Sequence, residues 1–229
     1  MSTNERLTLY SGPLSMFGAK VQIAALEKAL DFDLVMVPYD SKLGYNPKHP
    51  EVLRINPKRQ VPVLVHGELE LFDSTQIFEY LEDIAPEPPL WPRNPIARAR
   101  ARALEHQSDE VYFPHIIRLM GLQDVLDTEP AVTAIEAARR FYADMEQRLG
   151  SGDWLAGNYS FADIAFYMAA VFGERQSAPL TASTPRLLAW RHRMGQRAPV
   201  RNVVGAMATW LRNAGRPVPA FMSDMLAAD

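Results

Sequence analysis

Five prolines stand within ten residues of this chain, Pro86, Pro88, Pro89, Pro92 and Pro95, in the stretch "APEPPLWPRNP". A proline lacks the amide hydrogen and fixes φ, so neither a helix interior nor a central strand accepts such a run. The 229-residue chain must break there. The spacing predicts three parts: a first domain over 1–85, a linker over 86–95 and a second domain over 96–229.

The two sides carry different periodicities. Before the linker, short β-branched and apolar runs alternate with helical ones. Residues 6–10 read as a strand, 15–30 as a helix, 32–37 ("FDLVMV") as a strand and 50–56 as a short helix opened by a proline. Two further strands, 61–65 and 69–72, flank a His-Gly turn. In "DSTQIFEYLEDIA", Ile77, Tyr80, Leu81 and Ile84 recur on one helical face. The order βαβ-α-ββ-α implies a parallel pair with a right-handed crossover, extended by an antiparallel hairpin. After the linker no convincing strand appears. Residues 95–125, 130–149, 160–173, 185–198 and 199–213 read as helices, which predicts a bundle. The fold class is α/β plus all-α.

Composition removes several functions. There is no cysteine, which excludes disulfides, thiolate metal sites and a cysteine nucleophile, and fits a reducing compartment. The net charge is −3, so nothing favours nucleic acid or an anionic membrane. The N-terminal "MSTNERLTLY" has no apolar signal core and no run reaches membrane-spanning length. A cytoplasmic protein is expected. His49, His66, His106, His115 and His192 never take metal-ligand spacing, so no metal is expected.

Three places carry chemistry. In "YSGPLSMFGAK" a strand ends, a Gly-Pro turn follows and Ser15 opens a helix. Ligands collect beyond the carboxyl ends of strands at such turns, where helix amides favour an anion. Ser15 is either an N-cap or a hydroxyl that donates to a thiolate; no Ser-His-Asp set accompanies it. At Val61-Pro62 the proline is either an ordinary edge residue or a cis bond beside backbone groups that pair with an extended peptide. Asp73-Ser74 is either a helix cap or a receptor for the α-amino and carboxylate groups of a ligand.

Taken together, "LYSGPLSMFGAKVQIAALEK", "INPKRQVPVLVHGELELFDSTQIFEYLED" and "WLAGNYSFADIAFYMAA" resemble the cytosolic glutathione transferase family, with the three segments in order and the proline linker after the first two. The resemblance implies a thioredoxin-like N-terminal domain, a helical C-terminal domain and a homodimer. It implies that Ser15 activates the thiol of glutathione, the co-substrate. It places Val61 and Pro62 against the cysteinyl part, Asp73 and Ser74 at the γ-glutamyl end, and Gln60 nearby. Lys48, with His49 as its rival, meets the glycyl carboxylate. Asp73 stands where the family more often has glutamate. The family's isomerase-like classes carry Ser-Ser-Cys where this chain has "LSMF", which argues against maleylacetoacetate isomerisation.

The thiolate would attack a small hydrophobic electrophile held by Met16, Phe17, Tyr112, His115 and Ile116, with Phe113 and Met120 as further candidates. Tyr10 either packs or lines that cleft. For Tyr112 to Met120 the other reading is bundle core or dimer contact. A transferase of alkyl or aryl groups is expected. A glutathione-dependent lyase or etherase, dehalogenase or peroxidase shares these features, and a non-catalytic binding or regulatory protein is the reading from another class.

Overall fold

The computed structural model describes residues 6–40 and 42–226; half of the N-terminal "MSTNERLTLY" stretch lies outside them. They fall into two compact units, one within Met1–Pro88 and Ala198–Asp229, the other Pro89–Arg197.

The first unit is built on a four-stranded sheet. Strands β1 (Leu7–Ser11) and β2 (Phe32–Met36) pair in parallel across helix α1 (Met16–Glu27). Helix α2 (Pro50–Ile55) precedes β3 (Val63–His66) and β4 (Leu69–Phe72), and α3 (Ser74–Ile84) follows. The order across the sheet is β2-β1-β3-β4, with β3 antiparallel to both neighbours. This is the mixed sheet expected of a thioredoxin-like domain. The third strand starts at Val63 rather than Val61, because Pro62 has no N–H for a ladder.

Alternation along the strands separates two apolar layers. Leu7, Leu9 and Leu64 pack with Val21 and Ala25 of α1 and with Ile77 and Leu81 of α3. On the other layer Val63 meets Val37 and Val52, flanked by Tyr10, Tyr45 and Phe72. Helix α1 is buried continuously from Gly18 to Ala25, which an amphipathic surface helix never is. The cause is α9 (Ala198–Asn213), which packs on it and buries Val200, Val203, Val204, Met207, Ala208 and Leu211. The short α10 (Ala220–Ser223) ends this unit. Thus the helical stretch expected as one domain over 96–229 is divided: its last part packs with the sheet unit.

The second unit holds α4 (Pro95–Gln107), a π-helical turn (Ser108–Tyr112), α5 (Phe113–Met120), α6 (Glu129–Leu149), α7 (Phe161–Arg175) and α8 (Pro185–Gln196). Helix α7 runs through the middle, buried from Phe161 to Gly173. Around it Tyr112, Phe141, Tyr142, Phe166 and Trp190 form one aromatic core. Gly173 permits the close approach: a Cβ there would sit 2.0 Å from the Tyr112 hydroxyl. Among the described residues no helix is long and apolar enough to cross a membrane.

Candidate functional site

Strand register gathers the three expected places at one end of the sheet. Tyr10 of β1 pairs with Val63 of β3, and Val63 pairs with Phe72 of β4. The chain leaving β1 at Gly12, the chain entering β3 at Val61-Pro62 and the chain leaving β4 at Asp73 therefore meet at the carboxyl end of β1. In an open α/β sheet that is where ligands collect.

At the first of these, Ser15 is the N-cap of α1, in extended conformation at φ −97° and ψ 112°. Its Oγ accepts from the Gly18 amide at 2.9 Å, so the capping role is real. A hydroxyl has two lone pairs and one hydrogen, and the cap uses a lone pair only. Among the described residues nothing accepts the Ser15 hydrogen, and the first turn of α1 holds no acid. The positive end of the helix and one spare O–H thus face the same place, a combination suited to an anion. Gly18 is required here: a Cβ would lie 2.1 Å from Ser11 Oγ and 3.1 Å from Ser15 Oγ. Ser11, wholly buried, accepts from Gln22 Nε2 at 2.7 Å. Neither Ser11 nor Gln22 is singled out from the sequence; a glutamine within the buried stretch of α1 is the only available signal.

The second place follows a loop organised by one side chain. Buried Asn56 donates from Nδ2 to the Gln60 carbonyl at 2.6 Å and accepts from the Lys58 amide at 2.9 Å. Arg59 takes φ +55° inside this loop, and Gln60 is exposed. The Val61-Pro62 bond is cis. Val61 is half-buried and precedes the ladder, which begins at Val63.

At the third place Asp73 caps α3. Its Oδ1 accepts from Thr75 N at 3.1 Å and Gln76 N at 3.3 Å. The other carboxylate oxygen is left without a hydrogen bond among the described residues. Asp73 sits at φ +74° and ψ 125°, a backbone state that costs a non-glycine residue on the order of 1–3 kcal/mol and that clusters at functional sites. Ser74 is buried beside it.

Lys48 and His49 come from the segment before α2, both half-buried. His49 is the N-cap of α2, its Nδ1 accepting from Glu51 N at 3.3 Å. That fixes the proton on Nε2, which leaves the outer nitrogen a donor. The His49 ring lies 5.1 Å from that of Tyr10.

The expected electrophile wall divides. Tyr10 and Phe17 are half-buried and Met16 is 2% exposed, all in the first unit. In the second, Tyr112 and Ile116 have no exposed surface. The Tyr112 hydroxyl pairs with that of Tyr142, and burial pushes its pKa well above the ordinary tyrosine value. These two side chains are bundle core and line no open surface, which corrects the expectation. Phe113 is likewise buried. His115 is half-buried, its pKa lowered by burial and then by Arg118 and Arg140.

A cavity of about 300 Å³ opens in the second unit, lined by Arg139, Tyr142, Pro179, Thr181, Ser183 and Thr184. None of the expected substrate or glutathione residues reaches it. Its Thr181 and Ser183 hydroxyls are spent on each other, whereas the sheet end keeps unused polar valences. Among the described residues no group of three or more His, Cys, Asp or Glu is placed to hold a metal ion.

Comparison with known proteins shows the family. Residues 9–89 match the glutathione S-transferase N-terminal domain and residues 111–198 its C-terminal domain. A stringent starvation protein A homolog of Coxiella burnetii is 36% identical over 47% of this chain and 48% of its own length. Glutathione S-transferase 1 of Dianthus caryophyllus is 37% identical over 53% and 52%. The chain thus spans about half the length of these two curated relatives. Among solved structures, a glutathione S-transferase from Methylobacillus flagellatus with glutathione bound superposes with TM-score 0.76 at 25% identity, over 86% of this chain and 98% of that one. One from the Antarctic clam Laternula elliptica shares the fold at TM-score 0.79 and 22% identity, over 96% and 99%. With both domain patterns matched in order and the strand ends arranged as described, the chain belongs to the glutathione S-transferase family.

Proposed function

We propose that this protein is a glutathione S-transferase that ionises the thiol of glutathione at Ser15 and directs it at a small hydrophobic electrophile. The observation that carries the reading is the half-used cap: Ser15 Oγ accepts from Gly18 and keeps its hydrogen. A thiol of this kind has a pKa of about 8.5, so only a few per cent is thiolate at neutral pH. Lowering it by about two units takes roughly 2.7 kcal/mol. A hydrogen bond to the charged sulfur supplies about 1.5–3 kcal/mol, and the helix terminus about 0.3–1 kcal/mol. No covalent enzyme intermediate is needed.

The rest of the tripeptide follows the sheet end. Val61 offers its backbone ahead of β3. The open oxygen of Asp73 takes the ammonium, and Ser74 with the α3 amides takes the γ-glutamyl carboxylate. His49 Nε2 or Lys48 meets the glycyl carboxylate, with Gln60 alongside. The Methylobacillus flagellatus protein has glutathione bound, which supports glutathione as the ligand. We place the enzyme in the cytoplasm as a homodimer.

A second reading has a specific support: relatives named stringent starvation protein A homolog, from Coxiella burnetii and from Haemophilus ducreyi, the latter 27% identical over 72% of both chains. On that reading the fold serves as a binding or regulatory module. Retention on immobilised glutathione, then a turnover screen with glutathione against aryl and alkyl halides, epoxides, aryl ethers, hydroperoxides and enones, separates the two. Turnover of any of these supports the transferase. Retention without turnover supports the binding module, and no retention removes the transferase.

A further inference from the structure

Tyr45 stands on the segment between β2 and α2, far in sequence from Ser15. Its hydroxyl oxygen accepts the Leu14 amide at 3.1 Å. Its ring packs close against the turn: a Cβ on Gly12 would meet Tyr45 Cε1 at 2.3 Å and the hydroxyl at 2.5 Å. Gly12 and Leu14 are two members of the turn that presents Ser15, and Ser15 N closes that turn onto the Gly12 carbonyl at 3.1 Å. One phenol therefore braces the turn at both Gly12 and Leu14.

Tyr45 is itself held from two sides. Asp40 and Gly44 exchange both backbone hydrogen bonds, at 2.7 and 2.9 Å, with Gly44 at φ +63°. The Asp40 carboxylate accepts from Lys42 N and Leu43 N at 2.7 and 2.8 Å. This closed loop delivers Tyr45 inward. From the other side Tyr39 meets the Tyr45 ring edge-on at 4.8 Å, and Trp210 of α9 meets Tyr39 at 5.4 Å. The Arg216 guanidinium lies 5.9 Å from the Tyr39 ring. A continuous set of contacts runs from α9 through Tyr39 and Tyr45 to the Leu14 amide.

We propose that Tyr45 is a positioning residue for the Ser15 hydroxyl. This rests on the proposed thiol activation at Ser15. The hydrogen bond Tyr45 accepts holds the Leu14 amide, one residue before Ser15, and with it the position of the Ser15 oxygen. A displaced oxygen weakens thiolate stabilisation without removing any group that grips the tripeptide.

The test is Tyr45→Phe, which keeps the ring and removes the oxygen, assayed with glutathione and an activated aryl chloride across pH. The expected result is kcat lower by about threefold to tenfold at neutral pH, the worth of one neutral hydrogen bond, with the acidic limb of the profile moved to higher pH and KM for glutathione changed by less than about twofold. Gly12→Ala reaches the same contact from the opposite side and should move the limb in the same direction. A Tyr45→Phe profile that superimposes on that of the wild type overturns the proposal, as does a rise in KM with the limb unmoved. A wild-type enzyme that forms no thiolate from bound glutathione overturns the reading of Ser15 itself. A wild type that does, unchanged in both variants, overturns only the role of Tyr45.

Discussion

Helices α1 and α7 both begin at a serine, and the two serines sit in different surroundings. Ser160 of α7 is wholly buried in a closed network: Asp163 accepts from Leu155 N, Ser160 N, Ser160 Oγ and Trp190 Nε1 at 2.9–3.3 Å. Ser15 of α1 is 7% exposed, has no acid in the following turn and uses only its acceptor side. The first arrangement is complete and nothing remains to be recognised; it nucleates the central helix of the bundle. The second satisfies the helix and leaves a donor over. The same residue type at the same helical position is structural in one unit and a candidate for chemistry in the other, and the partners around the hydroxyl decide which.

That contrast breaks most visibly at Asp163. Asp163→Asn replaces one acceptor oxygen by an NH₂ that must face donors, and should cost about 2–4 kcal/mol of stability at neutral pH, read by denaturant unfolding. Burial raises the Asp163 pKa from 3.8 to about 6, against the pull of its four donors. A folded pKa above the unfolded one gives stability that is full below about pH 4 and is lost as pH rises through about 6. The stability difference between wild type and Asp163→Asn should therefore grow as pH falls from 7 to 4. A difference that shrinks over that range would mean the carboxyl is ionised throughout.

Ser15→Ala tests the other serine. Its structural cost is that of one cap, about 1 kcal/mol. Its effect on the thiol of bound glutathione should be larger, with turnover at neutral pH reduced about tenfold to a hundredfold and glutathione still retained. Unchanged turnover would make Ser15 a cap like any other.

Gly18→Ala sharpens the comparison from the side of the backbone. In an ordinary helix this change stabilises by about 1 kcal/mol. Here the new methyl would strike Ser11 Oγ, so a loss of about 1–3 kcal/mol is expected by thermal unfolding, together with a shift in the pH profile because the amide that holds Ser15 moves.

How much of this was written in the sequence depends on whether the signal is local. Periodicity places the strands and most helices to within a few residues, but it reads 95–125 as one stretch where α4, the π-helical turn and α5 stand, and it gives no sign of α10; the S-x-x-D spacing at Ser160–Asp163 marks the capping box. The three site segments were visible because turn and cap residues declare themselves by type. Partners across the fold were not. Val200, Val203, Val204 and Met207 mark an apolar face on α9, but nothing in that pattern says the face covers α1 rather than another bundle helix. Residue type alone does not tell a cleft wall from bundle core at Tyr112; the π-helical turn over Ser108–Tyr112 sets it in the core against Phe166. Tyr45 was missed because its role rests on Gly12, 33 positions earlier in the chain, having no side chain.

The smallest expected effect on stability belongs to Asp73, where capping and recognition share one carboxylate. Asp73→Gly removes the two hydrogen bonds to Thr75 N and Gln76 N, and glycine replaces a good cap at a cost of only a few tenths of a kcal/mol. It also relieves a non-glycine residue at φ +74°, worth on the order of 1 kcal/mol. The two nearly cancel, so unfolding free energy should change by less than about 1 kcal/mol. If the oxygen left open by the cap receives the ammonium of glutathione, KM for glutathione should nonetheless rise by about tenfold or more, as for a lost hydrogen bond to a charged group, with kcat at saturation retained. A variant that keeps its KM would show that the strained backbone at Asp73 serves α3 alone, and would put this cap in the same class as the one at Ser160.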